Sequence, residues 1–168
     1  MQGIIVPHVN TRQAAEDVAK AARYWPDGHR GMAGGRAHDY GVGVSRDEST
    51  RWLNAQLLVI PMIEETEAVD NLDAILTVPG IDVLHVASGD LGQSMGNPGA
   101  AAVRQLMRQV VPRIRAGGKL CGVGGNSPSD AAGIAEFIKL GANFVTISSL
   151  GLLRLGADDF RRRVQAAL

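Results

Sequence analysis

The chain has 168 residues, 45% hydrophobic and 20% charged, a composition of globular domains and not of disordered tails. Lys plus Arg and Asp plus Glu balance at 17 each, so no net field favours nucleic acid or an anionic membrane. No apolar run approaches the roughly 20 residues that span a bilayer, and the start, MQGIIVPHVNTRQ, is not signal-like. The lone Cys121 has no internal partner, which fits a cytoplasmic protein.

Short, nearly continuous apolar runs alternate with longer amphipathic stretches. A strand is predicted over residues 4–9, then a helix over 11–22 that Thr11 can cap. A glycine-rich loop around residues 31–36 carries Arg30 and Arg36, and a helix follows over 46–54. A second strand over 57–63 leads into a helix over 67–77, and a third strand over 83–87 into the small-residue segment Ala87-Ser88-Gly89-Asp90-Leu91-Gly92. A long helix over 100–116 stops at Gly117-Gly118, a fourth strand spans 120–123, and a helix over 129–140 stops at Gly141. A fifth strand over 144–147 and a helix over 158–166 complete the pattern. The strands are apolar on both faces, as parallel strands covered by helices are, so the chain is α/β, built of right-handed βαβ units. Residues 1–168 form a single domain with no linker. Pattern alone admits an open doubly wound sheet or part of an eight-stranded barrel.

In either fold the ligand side is the carboxyl end of the strands. Glu64 and Glu65 lie at the end of the second strand, and Asp90 lies just past the third. Two carboxylates completed by water and substrate oxygens suit Mg²⁺ or Mn²⁺; the competing reading is that the glutamates cap the following helix. The backbone N–H groups of the turn at Ser88 and Gly89 could hold a carboxylate or phosphate, although an ordinary βα turn has the same composition. His8 and His85 are expected inside strands, His29 and His38 in solvent. Arg30 and Arg36 read as solvated or as anion-binding. No zinc spacing, P-loop, dinucleotide fingerprint or nucleophile elbow occurs. Cys121 reads as a packed thiol.

Five segments in order carry a resemblance: GIIVPHVNT at 3–11, AARYWPDGHRG at 21–31, PMIEETEAVDNLDAIL at 61–76, GIDVLHVASGDLGQSMGNPG at 80–99 and GANFVTIS at 141–148. Together they resemble the class II, metal-dependent pyruvate aldolases of the 4-hydroxy-2-oxoheptanedioate and 2-keto-3-deoxy-sugar-acid type, relatives of the citrate lyase β-chain and macrophomate synthase. The resemblance implies a TIM (β/α)₈ barrel, here an incomplete one of about five parallel βα units. It implies reversible aldol cleavage of a 2-keto-4-hydroxy acid to pyruvate and an aldehyde, with Mg²⁺, Mn²⁺ or Co²⁺ as cofactor. The family's metal ligands fall on Glu64 and Asp90, and the amides that hold the pyruvate carboxylate on Ser88 and Gly89. It further implies a homo-oligomer, a trimer or hexamer.

Two departures stand out. Ser88 replaces the family's proline in the turn, and Met62 a glutamine often found two residues before the metal glutamate. About three βα units that precede GIIVPHV in the family have no counterpart, so its acid/base histidine and enolate-steadying arginine match no position here and the catalytic residues stay unassigned. The sequence therefore reads as a barrel begun at its fourth strand. A coenzyme A thioester lyase of the same superfamily and a non-catalytic metal-binding fragment are the alternatives.

Overall fold

A computed structural model describes residues 2–168. Its strands are β1 (Gly3–Val6), β2 (Leu58–Ile63), β3 (Val83–Ala87), β4 (Leu120–Asn126) and β5 (Phe144–Ile147). They form one parallel sheet in the order β1-β2-β3-β4-β5. A doubly wound sheet reverses its strand order at a switch point; here every step goes the same way, which is the construction of a barrel wall. The helices are α1 (Arg12–Ala22), α2 (Arg46–Gln56), α3 (Thr66–Asp70), α4 (Leu72–Leu76), α5 (Ser88–Ser94), α6 (Ala100–Ala116), α7 (Ala131–Lys139) and α8 (Ser149–Ala167), with a 3₁₀ turn over Arg36–Gly41.

Strand alternation sorts the side chains. Val59, Ile63, Leu84, Val86, Cys121 and Val123 turn outward and join Leu72, Ile75, Leu91, Met107, Val110 and Ile114 in the core. A fully buried side chain of this kind contributes about 1.5–3 kcal/mol. The alternate residues face the concave side, where Ile5, Leu58 and Leu120 remain 44%, 40% and 43% exposed. On β4 this inner set includes Gly122 and Gly124, and the imidazole of His85 from β3 lies across both; a Cβ at either would overlap the ring.

Several boundaries differ from expectation, each for a local reason. β1 stops at Val6, short of residue 9, because Pro7 has no N–H to donate and His8 takes φ 57°. The helix expected over 67–77 is two, broken at Asn71 (φ −89°, ψ 6°), whose side-chain amide donates to the Asn10 carbonyl at 2.9 Å. The small-residue segment after β3 coils immediately into α5. β4 runs on to Asn126. α8 begins at Ser149, well before 158, since the Ser148 hydroxyl accepts from the Gly151 amide at 3.2 Å and outweighs Gly151 and Gly156 as helix breakers.

Gly124→Ala should destabilise the fold by about 1–3 kcal/mol, because the new methyl must displace a buried ring; Gly31→Ala, which meets no atom within 4 Å, should change it by no more than about 0.5 kcal/mol. Urea unfolding of the two variants checks this. Cys121 is fully buried and its thiol is pushed up to about 12 by that burial. It should therefore resist thiol reagents at pH 8 in the folded protein and react at once in denaturant, as mass spectrometry would show.

Candidate metal site

The site stands where β1, β2 and β3 end side by side. Met62 pairs with His85 and Ile63 with Val86, so Glu64 comes level with Ala87, and Ser88, Gly89 and Asp90 leave the sheet on the same rim. Asp90 occupies the first turn of α5 and is exposed. Glu64 is only 2% exposed. Its Oε1 accepts from the His8 backbone N–H at 2.8 Å, and no Lys or Arg among the described residues pairs with it. A buried carboxylate needs a compensating positive charge. Among the described residues the one cation in reach is His8, whose Nδ1 lies 3.6 Å from Glu64 Oε1 but donates to Glu65 Oε1 at 2.8 Å.

These contacts perturb the titrating groups. The hydrogen bond that His8 donates to Glu65 and the charge of Glu64 raise the His8 pKa, and the charge of Asp90 adds to them. The same hydrogen bond, helped by Asn10, holds the Glu65 carboxyl below its usual range. Three carboxylates thus act on one imidazole. Glu65 stands at the N-cap position of α3, as the capping reading has it, but makes no side-chain hydrogen bond to the helix amides. Nor do the two glutamates point cleanly apart as strand neighbours do: β2 ends at Ile63, and both carboxylates turn toward His8.

Beside the carboxylates is the turn expected to bind an anion. Ala87 pairs with Gly124, which brings Gly125 (φ +73°) against Ser88 and Gly89. A Cβ on Gly125 would overlap the Ser88 hydroxyl and stand 3.3 Å from the Gly89 nitrogen and 3.4 Å from that of Ser88. Only glycine allows this approach at that φ. Among the described residues no group of three or more His, Cys, Asp and Glu side chains converges as a metal cage. Glu64 and Asp90 both stand on this rim, and carboxylate oxygens are the donor type that suits a hard cation. A buried carboxylate whose nearest imidazole is shared with another carboxylate fits such an ion.

The other histidines divide differently from expectation. His8 is not inside a strand: it follows β1 with its side chain mostly exposed. His38 is buried, not solvated. Its Nε2 lies 3.1 Å from the Tyr24 hydroxyl and its Nδ1 2.9 Å from Ser49 Oγ, which donates onward to the Arg46 carbonyl. That polar chain pins the long loop after α1. Arg30 stacks over Tyr24, 4.7 Å from the ring centre, and Arg36 lines a surface depression with Trp52 and Gln56; neither arginine is assigned to the rim. His85 lies inside β3 as expected, on its concave face. Its Nε2 is 3.3 Å from Thr146 Oγ1, its Nδ1 has no partner among the described residues, and burial pushes its pKa down, favouring the neutral ring. Met62 offers no hydrogen bond from the glutamine position.

Comparison with known proteins agrees with this architecture. The sequence model of the HpcH/HpaI aldolase/citrate lyase family matches residues 1–157. A 2-keto-3-deoxy-L-rhamnonate aldolase of Klebsiella pneumoniae subsp. pneumoniae is 35% identical over 170 residues, covering 94% of this chain and 59% of that protein. A 4-hydroxy-2-oxovalerate aldolase of Novosphingobium aromaticivorans is 34% identical over 166 residues, covering 96% of this chain and 61% of that protein. Among solved structures, an HpcH/HpaI aldolase/citrate lyase family protein of Burkholderia cenocepacia superposes with a TM-score of 0.86 at 26% identity, over 98% of this chain and 65% of its own. Macrophomate synthase shares the fold, with a TM-score of 0.75 at 23% identity over 99% of this chain and 59% of that one. The chain thus spans about three-fifths of the length of the named relatives it matches.

Proposed function

Because the chain belongs to the HpcH/HpaI aldolase/citrate lyase family, we propose that it serves a divalent-metal-dependent, reversible aldol cleavage of a 2-keto-4-hydroxy acid to pyruvate and an aldehyde. The observation that carries this reading is Glu64, buried at a strand end with no Lys or Arg partner among the described residues, its nearest imidazole shared with Glu65, and level with the turn that presents Asp90. Glu64 and Asp90 would hold Mg²⁺, Mn²⁺ or Co²⁺. The ion, when bound, supplies Lewis-acid stabilisation of negative charge on the keto oxygen of pyruvate.

The chain's own residues have distinct tasks in this reading. The amides of Ser88 and Gly89 hold the pyruvate carboxylate, and Gly125 keeps them accessible by leaving no side chain over them. Ser88 in place of proline adds a hydroxyl at that turn. His85 and Phe144, in edge contact with ring centres 5.7 Å apart, form an uncharged floor under the site. A neutral floor leaves the two carboxylates as the counter-charge for the ion. No residue is assigned as the proton donor or acceptor for the aldehyde oxygen.

Assembly is part of the proposal. We read residues 1–168 as one partial-barrel domain whose apolar surfaces meet other copies of the chain. The support is α8, which buries none of its residues and leaves Leu150, Leu153 and Phe160 75%, 70% and 64% exposed. A cytoplasmic setting suits the free, buried Cys121. Among the described residues no helix is long and apolar enough to cross a membrane.

Titration calorimetry with Mn²⁺ should show binding by the wild type, lost in Glu64→Ala and in Asp90→Ala and retained in Glu65→Ala. Wild-type protein should also condense pyruvate with acetaldehyde only when metal is present. Metal binding without any condensation would reduce the chain to a non-catalytic binding unit, and unchanged Mn²⁺ affinity in Glu64→Ala would remove the site itself. Sedimentation at micromolar concentration should give a trimer or hexamer, and a well-folded monomer would contradict the assembly.

A further inference from the structure

We propose that Glu65 is a positioning residue: through its bond to His8 it orders the turn after β1, and that turn's backbone N–H fixes the Glu64 carboxylate. The inference rests on the metal-site reading above and deepens it.

The argument begins with a backbone anomaly. His8 has φ 57°, a left-handed conformation that a bulky L residue adopts only when its surroundings hold it there. Two contacts do so. The His8 ring donates from Nδ1 to Glu65 Oε1 at 2.8 Å, and the His8 amide donates to Glu64 Oε1 at 2.8 Å. The far end of the same turn is tied down by Asn71, whose side-chain amide donates to the Asn10 carbonyl at 2.9 Å. All three bonds join the turn after β1 to the segment after β2. Release of the ring would free the turn to return to φ below zero, and the amide would then swing away from Glu64.

The consequence for Glu64 is specific. A carboxylate buried at a strand end can rotate about its last bond, and a ligand that rotates presents its oxygens poorly. With Oε1 taken by a fixed amide, the plane of the group is set and Oε2 is left for the cation. Glu65 sits at the N-cap position of α3 but makes no side-chain hydrogen bond there, and its side-chain partners lie on the turn after β1. Its chemistry is that of an outer-shell partner, one bond removed from the ligand.

Two measurements on the full chain test this. In metal-free protein, NMR hydrogen exchange should show the His8 amide exchanging about tenfold faster in Glu65→Ala, with neighbouring amides of β1 and β2 unchanged. Glu65→Gln, which keeps an acceptor oxygen, should restore most of the protection. In titrations with Mn²⁺, Glu65→Ala should bind about tenfold more weakly than wild type, still far better than Glu64→Ala. His8→Ala should match it, and the double variant should lose no more than either single one, because both act through one linkage. An unaltered His8 amide in Glu65→Ala would overturn the proposal, as would uniform acceleration of all strand amides or an unaltered Mn²⁺ affinity. Should the wild type bind no Mn²⁺, the metal-site reading fails by itself, and the exchange data still decide whether Glu65 orders the turn.

Discussion

Parallel strands laid down in sequential order give a sheet two unequal faces. Each crossover to the next parallel neighbour is right-handed, so its helices fall on the same side whenever the chain keeps stepping in the same direction. From β1 to β5 it never turns back. The outer face thereby acquires Leu72, Ile75, Leu91, Met107 and Ile114 as packing partners. The inner face is left to the strands' alternate residues, and every strand delivers its carboxyl end to one rim. Glu64, His8 and the Ser88–Asp90 turn meet there because topology brings them together from distant parts of the chain.

On that rim, electrostatics decides what the residues can do. A carboxylate in solvent needs nothing from its neighbours. Glu64 is not in solvent, and one amide hydrogen bond does not offset a buried charge. His8 could neutralise it but is shared with Glu65, and Asp90 adds a further negative charge nearby. A cation bound here, as proposed, would offset that negative charge.

The fold was largely legible in the sequence, and the site partly so. Apolar runs over residues 57–63 and 83–87 matched β2 and β3 to within a residue because buried parallel strands are apolar on both faces. What no periodicity distinguishes is an open sheet from a barrel wall, since both use the same βαβ unit; strand order settles that, and order is a property of long-range pairing. The failures are local. Small residues in Ser88–Ser94 hid a helix whose formation depends on packing, through Leu91, onto the core. His38 looked solvated because its partners, Tyr24 and Ser49, are 14 and 11 residues away. His8 read as a strand residue although Pro7 before it was a visible sign that pairing stops.

Glycine on β4 links the two halves of this structure. A strand gains stability from side chains that pack, and Gly122, Gly124 and Gly125 forgo it within four residues. Gly122 and Gly124 give that space to the His85 ring, and Gly125 gives it to the Ser88 and Gly89 amides. The neutral imidazole in turn finds Thr146 on β5, so one polar contact spans three strands beneath the rim. A larger residue at any of the three positions would either lift the ring into the site or cover the turn. The same absence of side chains that weakens the strand therefore sets the depth of the concave face and keeps the Ser88–Gly89 turn uncovered, two requirements that an ordinary valine-rich strand could not meet together.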